Sequence, residues 1–162
     1  MKTFQRVAWA CGVVLLMGST AWVKEATVPT ADRDENPEVL EVLNEKGIQF
    51  TEASWAAIVK KAKAEKKIIF LDAYTSWCGP CKLMQKNVFT RADVGEIFNK
   101  NFINVKVDME QGEGPQLARL FPLEFYPTLF FIDTRGDVVK KVVGYQSPES
   151  LIAIGKGVVS NQ

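Results

Sequence analysis

At 162 residues the chain is long enough for one domain with a substantial core. Its composition, 47% hydrophobic and 24% charged, excludes an extended disordered polymer. A net charge of +1 excludes the concentrated basic surface of a nucleic-acid or anionic-membrane binder, and the absence of histidine removes His-based triads, most zinc catalysis and haem attachment through Cys-x-x-Cys-His.

The chain opens on a short basic region, Lys2 and Arg6, followed by an uncharged run over residues 7–23 that includes Val13-Val14-Leu15-Leu16-Met17. Ser19 and Ala21 are small residues at the separation that suits cleavage after Ala21. Residues 1–21 therefore read as a signal peptide. An uncleaved anchor is the competing reading, since the run is barely long enough to span a bilayer. Either fate makes the domain periplasmic or otherwise extracytoplasmic, where disulfides persist. One of the three cysteines, Cys11, falls in this segment and reads as packed or discarded, so no disulfide-stapled scaffold is expected. Residues 22–47 read as a linker. It is a polar tether over 24–37, then a short helix over 37–46 closed by Gly47. The folded domain is expected over 48–162.

Within that domain Ile48-Gln49-Phe50 looks like a short alternating strand. Thr51 is a candidate N-cap for a helix running to Lys66, with Trp55, Ile58, Val59 and Ala62 inward and five lysines on a solvated face. Ile68–Tyr74 is apolar enough on both faces for the centre of a sheet. A helix follows over 82–89, a second helical stretch over 91–99 and a strand over 102–107. Gly112, Gly114 and Pro115 mark a loop before a short helix over 116–121. Thr128–Ile132 and Val138–Val143 form a hairpin turning at Thr134-Arg135-Gly136-Asp137. Ser147-Pro148 starts the last helix. The order β-α-β-α-β-α-β-β-α gives an α/β fold, a central mixed β-sheet flanked by helices on both faces, without repeats.

Trp77-Cys78-Gly79-Pro80-Cys81 lies between the buried strand and the helix. A cysteine at a helix start meets unpaired N–H groups and the positive end of the helix dipole, which stabilise a thiolate. The second cysteine is one turn on, close enough for a small disulfide. That arrangement is a thiol–disulfide exchanger. Cys78 is the expected exposed nucleophile, and Cys81 is half-shielded by its helix. Gly79 lets a partner backbone approach, and Pro80 favours the first helical turn without donating an N–H. Half of a zinc site is the competing reading, but no second Cys-x-x-Cys or histidine pair exists to complete it, so no metal is expected. Asp72 interrupts an apolar strand, which points to a buried carboxyl with a raised pKa, able to take a proton from Cys81 through water. Trp77 beside Cys78 suggests a flat apolar wall for substrate.

Trp77-Cys78-Gly79-Pro80-Cys81-Lys82 resembles the active-site sequence of the thioredoxin family, over about residues 68–159. Asp72 matches the family's buried acid, Tyr126-Pro127-Thr128 its cis-proline turn, and Gly144 the glycine beside its peptide groove. The resemblance implies the thioredoxin fold, a redox-active Cys78–Cys81 disulfide without further cofactor, and a Tyr126 backbone open to antiparallel pairing with a peptide. Many members pair the buried acid with a lysine on the neighbouring strand. The matching position here is Asn104, with Lys106 two residues on and on the same face. The segment from Asp72 to Trp77 departs from the acidic sequence common before the motif in cytosolic thioredoxins, the spacing from Cys81 through Met84 to Val88-Phe89 resembles exported thioredoxin-like domains, and Gly-Pro between the cysteines resembles the strongly reducing members.

The expected function is reduction or exchange of disulfides in exported proteins by a monomer, with a membrane thiol–disulfide conductor as electron donor. A disulfide isomerase or oxidase is the alternative enzyme. A non-catalytic peptide-binding module, using the groove at Trp77, Tyr126 and Gly144, is the alternative outside catalysis.

Overall fold

Strand β1, Ile68–Tyr74, has six of its seven residues buried, and an apolar segment of this kind is stable only with both faces covered. It is accordingly a central strand. On one edge it pairs in parallel with β2 (Phe102–Asp108), on the other antiparallel with β3 (Thr128–Ile132). β4 (Val138–Val143) pairs antiparallel with β3, and the sheet order is β2-β1-β3-β4. The computed structural model describes residues 46–161, all within one unit, Glu35–Gln162. The expected signal segment with Cys11, the tether and all but the last residue of the helix over 37–46 lie outside the described residues.

Among the described residues five helices cover the sheet: α1 (Trp55–Glu65), α2 (Gly79–Asn87), α3 (Ala92–Asn101), α4 (Gly114–Leu120) and α5 (Pro148–Ser160). The period-2 alternation of β1 divides them between two faces. Ile68 and Phe70 join Met84 of α2, Val94 and Phe98 of α3 and Leu151 of α5 in one core. Ile69, Leu71 and Ala73 join Ile58 and Ala62 of α1 and Leu117 of α4 in the other. The parallel β1–β2 pair needs a crossover, and α2 and α3 supply it. The mixed sheet with helices on both faces is as expected.

Boundaries differ in places, for identifiable reasons. Ile48-Gln49-Phe50 is not a strand. Its segment is an extended arm whose bonds go to separate elements: the Ile48 N–H to the Phe89 carbonyl (2.7 Å) and the Thr51 N–H to the Asn104 carbonyl (2.8 Å). Thr51, held there, does not cap α1. Ser54 does, its hydroxyl accepting from the Ala57 N–H. Gly114 and Pro115 are not loop residues but the first turn of α4, where proline has no N–H to waste. Helix α3 runs to Asn101 and passes directly into β2. The hairpin turn is as expected; the Asp133 carboxylate accepts from the N–H groups of Arg135, Gly136 and Asp137. Among the described residues no helix is long and apolar enough to cross a membrane.

Candidate active site

The site forms where β1 ends. After Tyr74 the chain turns, the Cys78 N–H bonds back to the Thr75 carbonyl (3.2 Å), and Cys78 becomes the N-cap of α2. Gly79 and Pro80 occupy the first helical turn. The Cys78 sulfur accepts from the Cys81 N–H (3.1 Å) and is bonded to the Cys81 sulfur, with the two Cα atoms 5.3 Å apart. Helix α2 thus aims its partial positive charge at the sulfur that would become a thiolate. Contrary to the expectation of an exposed nucleophile, Cys78 is only 3% exposed, and Cys81 1%. In the disulfide the Cys78 sulfur turns inward to its partner rather than outward to solvent.

Three predicted residues converge on this end of the sheet by register. Thr128 pairs with Ala73 on one side and with Val143 on the other. Pro127, one residue earlier, therefore stands beside the strand end from which the motif springs. The Tyr126–Pro127 peptide is cis. Gly144, one residue past Val143, donates its N–H to the Pro127 carbonyl (2.8 Å) at φ +87°, a conformation glycine adopts without strain. Trp77 stands 65% exposed, its ring edge-on to Tyr126 at 5.8 Å. Cys78, Cys81, Trp77, Tyr126, Pro127 and Gly144 thus share one end of the molecule.

Asp72 is 1% exposed and lies on the sheet face covered by α2. Neither carboxylate oxygen has a hydrogen-bond partner among the described residues. Burial pushes its pKa up from the ordinary 3.8 to about 7, and the Lys106 ammonium partly opposes the shift. The β1–β2 register sets Lys106 directly opposite Asp72, while Asn104 pairs with Phe70. The lysine has thus moved along the strand without leaving the face. Its ammonium sits 5.6 Å over the Phe50 ring of the N-terminal arm.

Two neighbours escaped the sequence. The Glu110 carboxylate accepts from the Trp77 indole N–H (2.9 Å), and no local periodicity signals a contact across 33 positions. With Asp108, Glu110 also helps burial raise the Tyr126 pKa. Thr75 is buried, and its hydroxyl has no partner among the described residues. Its signal was a hydroxyl residue at the end of a buried apolar run. Among the described residues no three His, Cys, Asp or Glu side chains are grouped to hold a metal.

Comparison with known proteins agrees with this geometry. Residues 55–158 match a family model described as a thioredoxin-like domain. The chain is 36% identical over 90 residues to thioredoxin H4 of Arabidopsis thaliana, covering 56% of this chain and 71% of that protein. It is 29% identical over 86 residues to the thiol:disulfide interchange protein DsbD of Colwellia psychrerythraea, 51% of this chain but 14% of DsbD. Among solved structures, a candidate disulphide-isomerase from Bacteroides thetaiotaomicron superposes with a TM-score of 0.62 at 44% identity, over 71% of this chain and 96% of that one. With a Cys-Gly-Pro-Cys disulfide capping a helix beside a cis-proline, and a family match across most of its length, this chain belongs to the thioredoxin-like family.

Proposed function

We propose that the protein reduces disulfides in other exported proteins. The observation that carries this reading is the Cys78–Cys81 disulfide at the N-terminus of α2, flanked by cis-Pro127. In the reduced protein the Cys78 thiolate attacks a substrate disulfide. A bond forms between Cys78 and one substrate sulfur, and the other leaves as thiolate. Cys81 then gives its proton to Asp72 through water and attacks Cys78. The second substrate thiolate departs, and two electrons have passed to the substrate. The Tyr126 backbone pairs with the substrate strand, with Trp77 as the apolar wall and Gly79, Pro80 and Gly144 leaving room for it.

The reading of residues 1–21 as a signal peptide supports chemistry outside the cytoplasm, where a reductase needs a source of electrons. A membrane thiol–disulfide conductor is the proposed donor, and the likeness to DsbD supports it. The protein works as a monomer with no cofactor beyond its disulfide. Titration of the purified domain against glutathione tests the direction. A potential on the order of −270 mV is expected from the Gly-Pro pair, and one near about −120 mV would overturn the reductase reading. Cys81→Ser should trap mixed disulfides with substrates in the native envelope. The likeness to the candidate disulphide-isomerase favours isomerisation as the second reading; refolding of a scrambled disulfide protein without added reductant would favour it.

A further inference from the structure

Besides Asp72, the sheet face under α2 carries a second buried group with an orphaned atom. Asn104 is 3% exposed, and its Oδ1 has no hydrogen-bond partner among the described residues. Unmatched polar atoms in a core are costly, so each calls for a partner. The register makes the two neighbours. Asn104 pairs with Phe70 and Lys106 with Asp72, so Asn104 stands one diagonal step from Asp72 on the same face.

The hydrogen-bond network fixes which way the Asn104 amide points. The Gln49 backbone N–H donates to Asn99 Oδ1 (2.8 Å), so that atom must be oxygen. The part of Asn104 that meets it, at 3.2 Å, must then be the amino group. The same amino group reaches the Gln49 carbonyl (3.4 Å). Its donors are thus spent on Asn99 of α3 and on the Gln49 carbonyl of the arm. The carbonyl oxygen is left buried and without a partner among the described residues, on the face that also carries Asp72.

We propose that Asn104 is a positioning residue for the proton that Asp72 exchanges with Cys81, its Oδ1 accepting, through one buried water, the hydrogen of the Asp72 carboxylic acid. This deepens the function proposed above and rests on it. When Cys81 gives up its proton, the Asp72 carboxylate becomes a carboxylic acid, and no electron moves in that step. The new O–H needs an acceptor. A water donating to Asn104 Oδ1 supplies one, and a buried water with at least two polar partners is a normal part of a protein interior. An acceptor of this kind favours the neutral acid and acts in the same direction as burial.

The other charged and titratable groups around Asp72 are few. Lys106 faces it from β2 and favours the carboxylate. Tyr74 lies two residues along β1, and its own pKa is raised by burial first, then by Asp108 and Asp72. From α2 come Cys78 and Cys81, which do not titrate while bonded to each other. Opposite Asp72, β3 presents Leu129. Among the residues that the β1–β2 register sets on this face, Asn104 offers a buried acceptor atom with no partner of its own.

The test is a carbon-13 NMR titration of the Asp72 carboxyl in the oxidised protein without substrate. Its outcome is therefore independent of whether the protein is a reductase. Asn104→Ala should lower the midpoint by about one unit, a tenfold rise in acid dissociation, as expected for one hydrogen bond to the neutral form. Asn104→Val, which suits a strand and has no acceptor atom, should lower it as well. Asn99→Ala cuts the arm's network but leaves Oδ1 in place, and should keep the wild-type midpoint while loosening the arm. Either Asn104 variant titrating like wild type would overturn the proposal. So would a wild-type midpoint at the ordinary carboxylate value, before any variant is made.

Discussion

Asp72 links the site to stability. In the unfolded chain it sheds its proton near 3.8, in the folded chain near 7. Between those values the folded state holds a proton that the unfolded state has lost, so stability falls as pH rises through this window and levels off above it. Three units correspond to about 4 kcal/mol as an upper bound. Asp72→Asn should therefore abolish the fall. Denaturant midpoints should be nearly equal to wild type at pH 4 and clearly higher at pH 8; parallel curves would show that Asp72 stays ionised in the fold. Glu110 makes a different kind of prediction. Glu110→Ala should free the Trp77 indole and lower its fluorescence anisotropy, whereas Glu110→Gln, which keeps an acceptor oxygen, should not. The difference between these residues explains what could be read in advance. Asp72 announces itself as a charge inside an apolar run, and the cysteines by their spacing. Glu110 is one acid among many until the β2–α4 connection brings it to Trp77.

At the scale of elements, the joints carry the strain. Lys66 ends α1 in the left-handed conformation at φ +52°, where a side chain costs roughly 1 kcal/mol. Lys66→Gly should raise the unfolding free energy by about 0.5–1 kcal/mol in urea titration. The N-terminal arm shows the opposite constraint. A Cβ on Gly95 would run into the Lys46 carbonyl and Gly47, and one on Gly47 into the Phe89 carbonyl and Thr90. These are backbone atoms that cannot swing aside. Gly95→Ala should therefore detach the arm, seen as faster amide exchange at Ile48 and Thr51. The arm is also where the sequence misled. Ile48-Gln49-Phe50 alternates like a strand, but its N–H groups are claimed by two different elements. β1 was legible because its apolar run is nearly unbroken, and the start of α5 because Ser147 and Pro148 carry a helix's opening chemistry.

The described residues form two cores, one on each face of β1, and the larger of them centres on Phe70. That ring meets Phe89, Phe98 and Phe131 at centroid distances of 4.7–6.2 Å. Phe70→Ala should cost about 3–5 kcal/mol in chemical denaturation, because the surrounding rings come from the turn after α2, from α3 and from β3 and cannot all close the gap. The sequence showed which strand was central. Which helices share a face depended on the β1–β2 crossover and could be known only once the chain was folded. The same layering has a kinetic meaning. Both sulfurs of the oxidised form lie beneath the surface, with Cys78 3% and Cys81 1% exposed. A dissolved thiol such as glutathione meets a closed door, and exchange rates depend on access to the attacked sulfur. Burial of both sulfurs makes access the quantity that sets the rate of exchange. Glutathione should reduce the folded oxidised protein far more slowly than it reduces the same disulfide in denaturant.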